Sequence, residues 1–172
     1  MSAAIFVDTN VFVYARDASE PGKQALAARW IRDLWTAQAG RTSIQVLSEY
    51  YATVTRKLKP GLDPNDAWDD VSTLFAWQPQ EIDRDVLARG RDIAARFALS
   101  WWDALIVAAA QLQNCELLLS EDLQDGWQCG TVTVRNPFAQ GIAEIRATCA
   151  AQPKPFSRHR DRGRPRSVRT PL

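Results

Sequence analysis

The chain has 172 residues, 46% of them hydrophobic, and a formal net charge of +1, which suits one domain with its own core. It shows no run of about 18 apolar residues and no pattern of a secretory signal, so the sequence predicts a cytoplasmic protein without a membrane span. Its three cysteines are odd in number and lack CxxC spacing, which argues against a disulfide framework or a zinc site.

The small net charge hides two oppositely charged parts. After residue 150 the sequence has seven basic residues and one acidic residue, a net charge of +6, so residues 1–150 carry −5. The only histidine, His159, also lies in the basic part. Residues 1–150 therefore cannot use a histidine base or a serine–histidine or cysteine–histidine pair. What remains for chemistry is mostly carboxylate, and clustered carboxylates usually imply a metal ion.

The first predicted element is a buried strand, an apolar run that ends in Asp8, Thr9 and Asn10. After it the apolar spacing and the breakers predict a short helix over 11–17, an extended piece at 41–42, helices over 21–38, 43–58, 64–76, 84–98 and 104–112, and strands over 115–119 and 131–134. Strands alternating with helices indicate an α/β protein, a three-layer α/β/α sandwich around a mostly parallel sheet of about four or five strands.

Two local features of the helices are predicted as well. Thr42 and Gln45 have the spacing of a capping box at the start of the helix over 43–58. Gly90 lies inside the helix over 84–98 and weakens it by about 1 kcal/mol relative to alanine.

The sequence divides into three parts. Residues 1–138 form the predicted domain, and 139–151 form a short extension in which one short helix would fit. Residues 152–172 are rich in proline and arginine and have almost nothing to bury, so we expect a disordered basic tail.

Two acidic residues follow predicted strands. Asp8 comes directly after the first strand, and Asp122 comes shortly after the strand that ends at Leu119. Because ligands bind at the carboxyl edge of a parallel sheet, we expect both carboxylates at one pocket. The alternatives are that Asp8 only caps the next helix and that Asp122 is a turn residue before Gly126.

Two further acidic residues lie on a predicted helix or directly before one. Asp103 follows Ser100 at the spacing of a capping box, a role that is compatible with a place in a cleft. Glu49 falls opposite an apolar stripe, so periodicity alone predicts a solvated position; the stripe comprises residues 44, 47, 51, 54 and 58. If these acids converge, their repulsion requires a cation, and oxygen ligands select Mg²⁺ or Mn²⁺. Such an ion activates water against a phosphodiester.

Four segments in this order and spacing resemble the PIN-domain nucleases, and among them the VapC-type toxins of bacterial toxin–antitoxin pairs. The segments are IFVDTN at 5–10, QVLSE at 45–49, LSWWDALI at 99–106 and LLSEDL at 118–123. The resemblance covers roughly residues 4–138 and implies a PIN-like sandwich. It also implies that four catalytic acids hold one or two Mg²⁺ or Mn²⁺ ions, namely Asp8, Glu49, Asp103 and Asp122, with Thr9 and Ser120 in support. For Glu49 the resemblance therefore implies a metal ligand, whereas periodicity alone predicts a solvated side chain.

The same resemblance implies an endoribonuclease that acts on structured RNA, forms a homodimer and is inhibited by a cognate antitoxin. Members of the family tend to end soon after a segment such as 134–138, so the basic tail has no counterpart. The tail either attracts RNA phosphates or is a solvated appendage without a role. Trp101 and Trp102 flank Asp103 and either stack on a base or pack in the core or a dimer.

Other functions fit the sequence less well. A haloacid-dehalogenase phosphatase needs a second aspartate two residues after the first, and Asn10 stands there. A phospho-receiver domain needs an acid pair near strand one and a late lysine, and a dinucleotide-binding domain needs GxGxxG; none is present. The remaining alternative is a PIN-like RNA-binding or assembly module without catalysis, which a metal titration would distinguish.

Overall fold

The computed structural model of the protein describes residues 3–139. Its strands are β1 (Ile5–Val7), β2 (Gly40–Arg41), β3 (Leu117–Leu119), β4 (Gln128–Cys129) and β5 (Val132–Arg135). Its α-helices are α1 (Thr9–Arg16), α2 (Pro21–Thr36), α3 (Ile44–Arg56), α4 (Pro64–Leu74), α5 (Arg84–Phe97) and α6 (Trp101–Leu112), with a 3₁₀ turn at Phe75–Trp77. The predicted extension and tail lie outside the described residues, apart from Ala139.

The five strands form one sheet in the order β2-β1-β3-β5-β4, and helices flank it. All pairs are parallel except β4 with β5. This confirms the predicted α/β fold with a mostly parallel sheet. Val7 at the end of β1 pairs with Leu119 at the end of β3, so Asp8 and Ser120 leave the sheet side by side. The carboxyl ends of β1 and β3 therefore carry polar side chains, while the two strands themselves are buried.

Helix α6 is the most deeply buried helix of the fold, as its nearly continuous apolar sequence predicts. Every residue from Ala104 to Ala110 is buried. It packs against α5 at Gly90, where an added Cβ would lie 2.6 Å from Cδ2 of Leu105. Because Gly90 has no side chain, α5 and α6 can approach each other closely at this point. This packing explains a glycine inside a helix, where its low helix propensity is unfavourable.

Within residues 3–139, no single helix is long and apolar enough to cross a membrane. Helices α5 and α6 satisfy that test only when they are taken together, and they are bent by 120° at the break between them.

The starts of α1 and α3 differ from those predicted. Helix α1 begins at Thr9, because Asp8 caps it by accepting a hydrogen bond from the Thr9 amide. The predicted capping box of Thr42 and Gln45 is wrong. Ser43 caps α3 by accepting from the Val46 amide at 3.3 Å, while the Thr42 hydroxyl donates to the carbonyl of Val7 at 3.3 Å. Because the Thr42 hydroxyl is bonded to the end of β1, it does not cap α3, and Ser43 caps the helix instead.

Gly40 in β2 offers a test of the packing at the sheet edge. A Cβ built on Gly40 would lie 2.6 Å from ring atoms of Trp77, an indole that is 6% exposed and held between Phe12 and Trp35. Because a buried indole cannot move aside easily, we expect Gly40→Ala to lower the free energy of unfolding by about 1–3 kcal/mol. Urea denaturation followed by tryptophan fluorescence measures this change.

Gly22→Ala is the matched control for that experiment. Gly22 lies in α2, and nothing lies within 4 Å of an added Cβ. We expect Gly22→Ala to be neutral or to stabilise the protein by up to about 1 kcal/mol, because alanine is the better helix former. Equal destabilisation by both substitutions would contradict the packing argument.

Candidate active site

A cleft of about 330 Å³ opens at the carboxyl edge of the sheet. It is lined by all four acidic residues singled out in the sequence, which are Asp8, Glu49, Asp103 and Asp122. They come from four separate parts of the chain: the end of β1, α3, the first turn of α6 and the loop after β3. A fifth acid, Asp17 at the end of α1, also lines the cleft and was not predicted. Asp17 is already engaged, since its Oδ1 accepts from the backbone and hydroxyl of Ser19.

Asp8 is the most enclosed of these carboxylates, with an exposed fraction of only 5%. Its Oδ1 accepts from the backbone amide of Thr9 at 2.7 Å. Its Oδ2 accepts from the hydroxyl of Ser120 at 2.7 Å. The Asp8 side chain therefore caps α1 and also lines the cleft. The two roles that the sequence suggested for Asp8 are compatible.

Asn10 connects the two acids that follow strands. Its amide nitrogen lies 3.2 Å from Oδ2 of Asp8 and 3.2 Å from Oδ2 of Asp122. The backbone amide of Asp122 donates in turn to the hydroxyl of Ser120 at 3.2 Å. Asp122 is thus drawn into the cleft. Asn10 was not among the predicted site residues, and its only local signal is a polar side chain two residues after Asp8.

Glu49 is half-buried and held on both sides. Its Oε2 accepts from the hydroxyl of Thr9 at 3.1 Å, and its Oε1 accepts from the amide of Gln45 at 3.0 Å. The solvated position that periodicity predicted is wrong, because the stripe was misassigned. Ile44 is 37% exposed, and the buried face of α3 consists of Gln45, Val46, Leu47, Tyr50 and Val54.

Asp103 combines both roles that the sequence allowed. The hydroxyl of Ser100 accepts from the Asp103 amide at 3.2 Å and donates to Oδ2 of Asp103 at 2.7 Å. This reciprocal pair caps α6 and holds the carboxylate at the positive end of the helix dipole. Asp103 nevertheless lines the cleft together with Trp102 and Ile106.

Comparison with known proteins assigns the chain to a family. The profile of the PIN domain matches residues 5–124, the greater part of the chain. The chain belongs to the PIN-domain family. Among curated proteins there is no match.

Two solved structures share the fold at 18% sequence identity. One is VapC20 of Mycobacterium tuberculosis, described as a sarcin-ricin loop cleaving toxin; it has a TM-score of 0.51, and the match covers 67% of this chain and 87% of that one. The other is a toxin–antitoxin complex from Klebsiella pneumoniae, with a TM-score of 0.54 and coverage of 78% and 98%. At this identity the likeness establishes the architecture of the PIN domain.

Burial changes the protonation of Asp8 in this PIN domain. Burial raises the pKa of its carboxyl to about 7, against an ordinary value of 3.8. Hydrogen bonds from Ser120 and Thr9 lower the pKa in part, while the nearby Asp122 and Glu49 raise it. The Asp8 carboxyl is therefore partly protonated at neutral pH. A cation that binds in the cleft would favour the ionised form and release the proton.

The donor set of the cleft fits a hard divalent cation. All the acidic ligands are oxygens, and Mg²⁺ and Mn²⁺ prefer carboxylate oxygens. Among residues 3–139, however, no three side chains of His, Cys, Asp or Glu form a group that could hold a metal ion. The amide nitrogen of Asn10 lies between the carboxylates of Asp8 and Asp122, where positive charge would be favoured.

The two tryptophans at the start of α6 are not core residues. Trp101 is 41% exposed and Trp102 is 57% exposed, so their packing in the core is excluded. Trp102 lines the acidic cleft. Base stacking and dimer packing remain the interpretations of these side chains.

The raised pKa of Asp8 predicts how stability depends on pH. The folded protein keeps the Asp8 proton to about pH 7, whereas an unfolded aspartate releases it near 3.8. The folded state therefore binds more protons in this window, and Asp8 makes the free energy of unfolding fall as pH rises from about 4 to about 7. Without divalent cations, we expect Asp8→Asn to exceed the wild type in stability above pH 7 by up to about 4 kcal/mol, and to differ little near pH 4.

Urea denaturation in chelator across pH 4–8 measures this difference. Glu116→Gln is the matched control, because Glu116 is an exposed acid directly before β3, at the opposite edge of the sheet. A stability difference between Asp8→Asn and the wild type that does not vary with pH would contradict the assignment of the raised pKa to Asp8.

Proposed function

We propose that this PIN domain is an endoribonuclease that hydrolyses RNA phosphodiester bonds with Mg²⁺ or Mn²⁺, and that it is the toxin of a toxin–antitoxin pair. One observation carries the proposal: four carboxylates from separate parts of the chain line a single cleft of a PIN fold, namely Asp8, Glu49, Asp103 and Asp122. Of the two structural neighbours, one is a toxin and the other a toxin–antitoxin complex, which supports the biological role.

The residues of the cleft have distinct parts in this proposal. Asp8, Glu49, Asp103 and Asp122 would hold one or two ions, which supply an activated water and neutralise charge on the phosphoryl group. Thr9 and Ser120 keep the carboxylates of Glu49 and Asp8 oriented by donating hydrogen bonds to them. Residues 1–150 contain no histidine that could act as the base, so activation of the water is assigned to the ions.

The proposed partners are an RNA substrate, a cognate antitoxin and a second copy of the chain, in the cytoplasm. A cluster of carboxylates suits an antitoxin that inserts an arginine, because guanidinium and carboxylate groups form strong paired hydrogen bonds. The homodimer rests on the family resemblance.

The second candidate is a PIN-like RNA-binding or assembly module without catalysis. It is favoured by the spacing of the acids, since no group of three in the described part of the chain could hold a metal ion. A binding module would retain RNA without needing the ion. The intact set of four acids favours the nuclease, because a module that only binds RNA phosphates gains nothing from negative charge.

Cleavage of total bacterial RNA tests the nuclease directly. We expect purified protein to cleave with Mg²⁺ or Mn²⁺ and not with chelator. Asp8→Asn and Asp122→Asn should each lower the rate by more than about 100-fold, the upper range for residues that merely support metal ligands. Glu116→Gln removes an acid away from the cleft and should leave the rate unchanged.

The possible outcomes separate the two candidates. Cleavage that survives both chelator and Asp8→Asn rejects the proposed mechanism. Binding of RNA in chelator, without cleavage under any condition, supports the binding module.

The role as a toxin is tested separately, in cells. We expect induced expression of the chain in a bacterial host that lacks the antitoxin to stop growth. Asp8→Asn should restore growth, because it removes the most buried ligand of the cleft while keeping a side chain that can cap α1. Immunoblots must show equal amounts of both proteins. Growth arrest that persists with Asp8→Asn would separate toxicity from the acidic cleft.

A further inference from the structure

Gln45 is a buried carboxamide beside the acidic cleft. It lies on α3 four residues before Glu49 and is 5% exposed. Its amide nitrogen donates to Oε1 of Glu49 at 3.0 Å and to the backbone carbonyl of Trp102 at 3.2 Å. A glutamine amide nitrogen carries two hydrogens, so both donors are used. Because a buried amide without partners costs free energy, these two contacts account for a polar residue at this position.

The two contacts of Gln45 join separate parts of the site. The other oxygen of Glu49 accepts from the hydroxyl of Thr9 at 3.1 Å, so the carboxylate is held between the start of α1 and Gln45. The carbonyl of Trp102 belongs to the residue immediately before Asp103. One side chain therefore contacts the acid of α3 and the backbone next to the acid of α6.

We propose that Gln45 is a positioning residue, one that fixes the carboxylate of Glu49 and ties α3 to the start of α6, so that Glu49 and Asp103 are presented to the same ion. The inference rests on the proposed function of the cleft. Gln45 is not among the residues that line the cleft, so it acts through Glu49 and α6.

Gln45 carries no charge, and this affects how Glu49 can bind a cation. A lysine or arginine at this position would also bind Glu49, but its positive charge would compensate the carboxylate and compete with a metal ion. An amide orients the carboxylate and leaves its negative charge available to a cation. A simple helix-stabilising pair four residues apart would explain the contact with Glu49, but not the contact with Trp102.

The test is the affinity for Mn²⁺, measured by electron paramagnetic resonance on the full chain. Gln45→Met keeps the length of the side chain and removes both donors. We expect it to weaken Mn²⁺ binding by about 10- to 100-fold, the usual effect of losing a group that orients a metal ligand. Gln113→Met is the matched control, since the Gln113 amide donates to the carbonyl of Gln78 at 2.8 Å and Gln113 does not line the cleft. It should leave Mn²⁺ affinity unchanged.

Unchanged Mn²⁺ affinity in Gln45→Met overturns the inference, and so does equal weakening in both variants, which would indicate general destabilisation. If the wild type binds no Mn²⁺, the proposed function fails instead. Crystal structures of the metal-free wild type and Gln45→Met then decide about Gln45. We expect the Glu49 carboxylate to move away from Thr9 in the variant, and an unmoved carboxylate would overturn the inference.

Discussion

The burial of one carboxylate at the end of an inner strand constrains the rest of the site. Asp8 follows β1, which lies between β2 and β3, and its side chain is almost fully enclosed. A buried carboxylate needs donors, and the parallel register of β1 and β3 provides one by placing Ser120 next to it. The first amide of α1 provides a second. The sheet register, the start of α1 and the loop after β3 are thus all tied to the same side chain.

The hydrogen-bond donors around the acids are neutral, so the cleft keeps its negative charge. Hydroxyls and amides from Thr9, Asn10, Gln45 and Ser120 orient the carboxylates without compensating their charge. Lys23 lies near Tyr14, which lines the cleft, but it is paired with Glu121. The negative charge therefore accumulates where water is partly excluded. That condition raises the pKa of Asp8 and also favours the binding of a cation.

The sequence predicted local features such as strand ends and buried helices, but it did not predict contacts between distant residues. An apolar run that stops at Asp8 predicts a strand end, and the nearly polar-free sequence after Asp103 predicts a buried helix; both are confirmed. The contacts of Asn10 with Asp122 and of Gln45 with Trp102 were missed because these partners lie far away in sequence. An amide has no periodic signature, so only the folded chain shows what it contacts. Choosing Ile44 for the apolar stripe of α3 likewise rotated the predicted helix face, because periodicity cannot show which apolar residues remain exposed.

The acidic charge of residues 1–150 affects how RNA would approach the cleft. An acidic body repels RNA phosphates over roughly a Debye length, about 8–10 Å at physiological salt, and the cleft concentrates that repulsion. The described chain ends just after Phe138, whose ring packs against Tyr14 with 5.0 Å between ring centroids. Since Tyr14 lines the cleft, Phe138 lies beside the acidic site. Attraction of RNA phosphate to the acids therefore requires positive charge, either from ions in the cleft or from the basic residues after position 150.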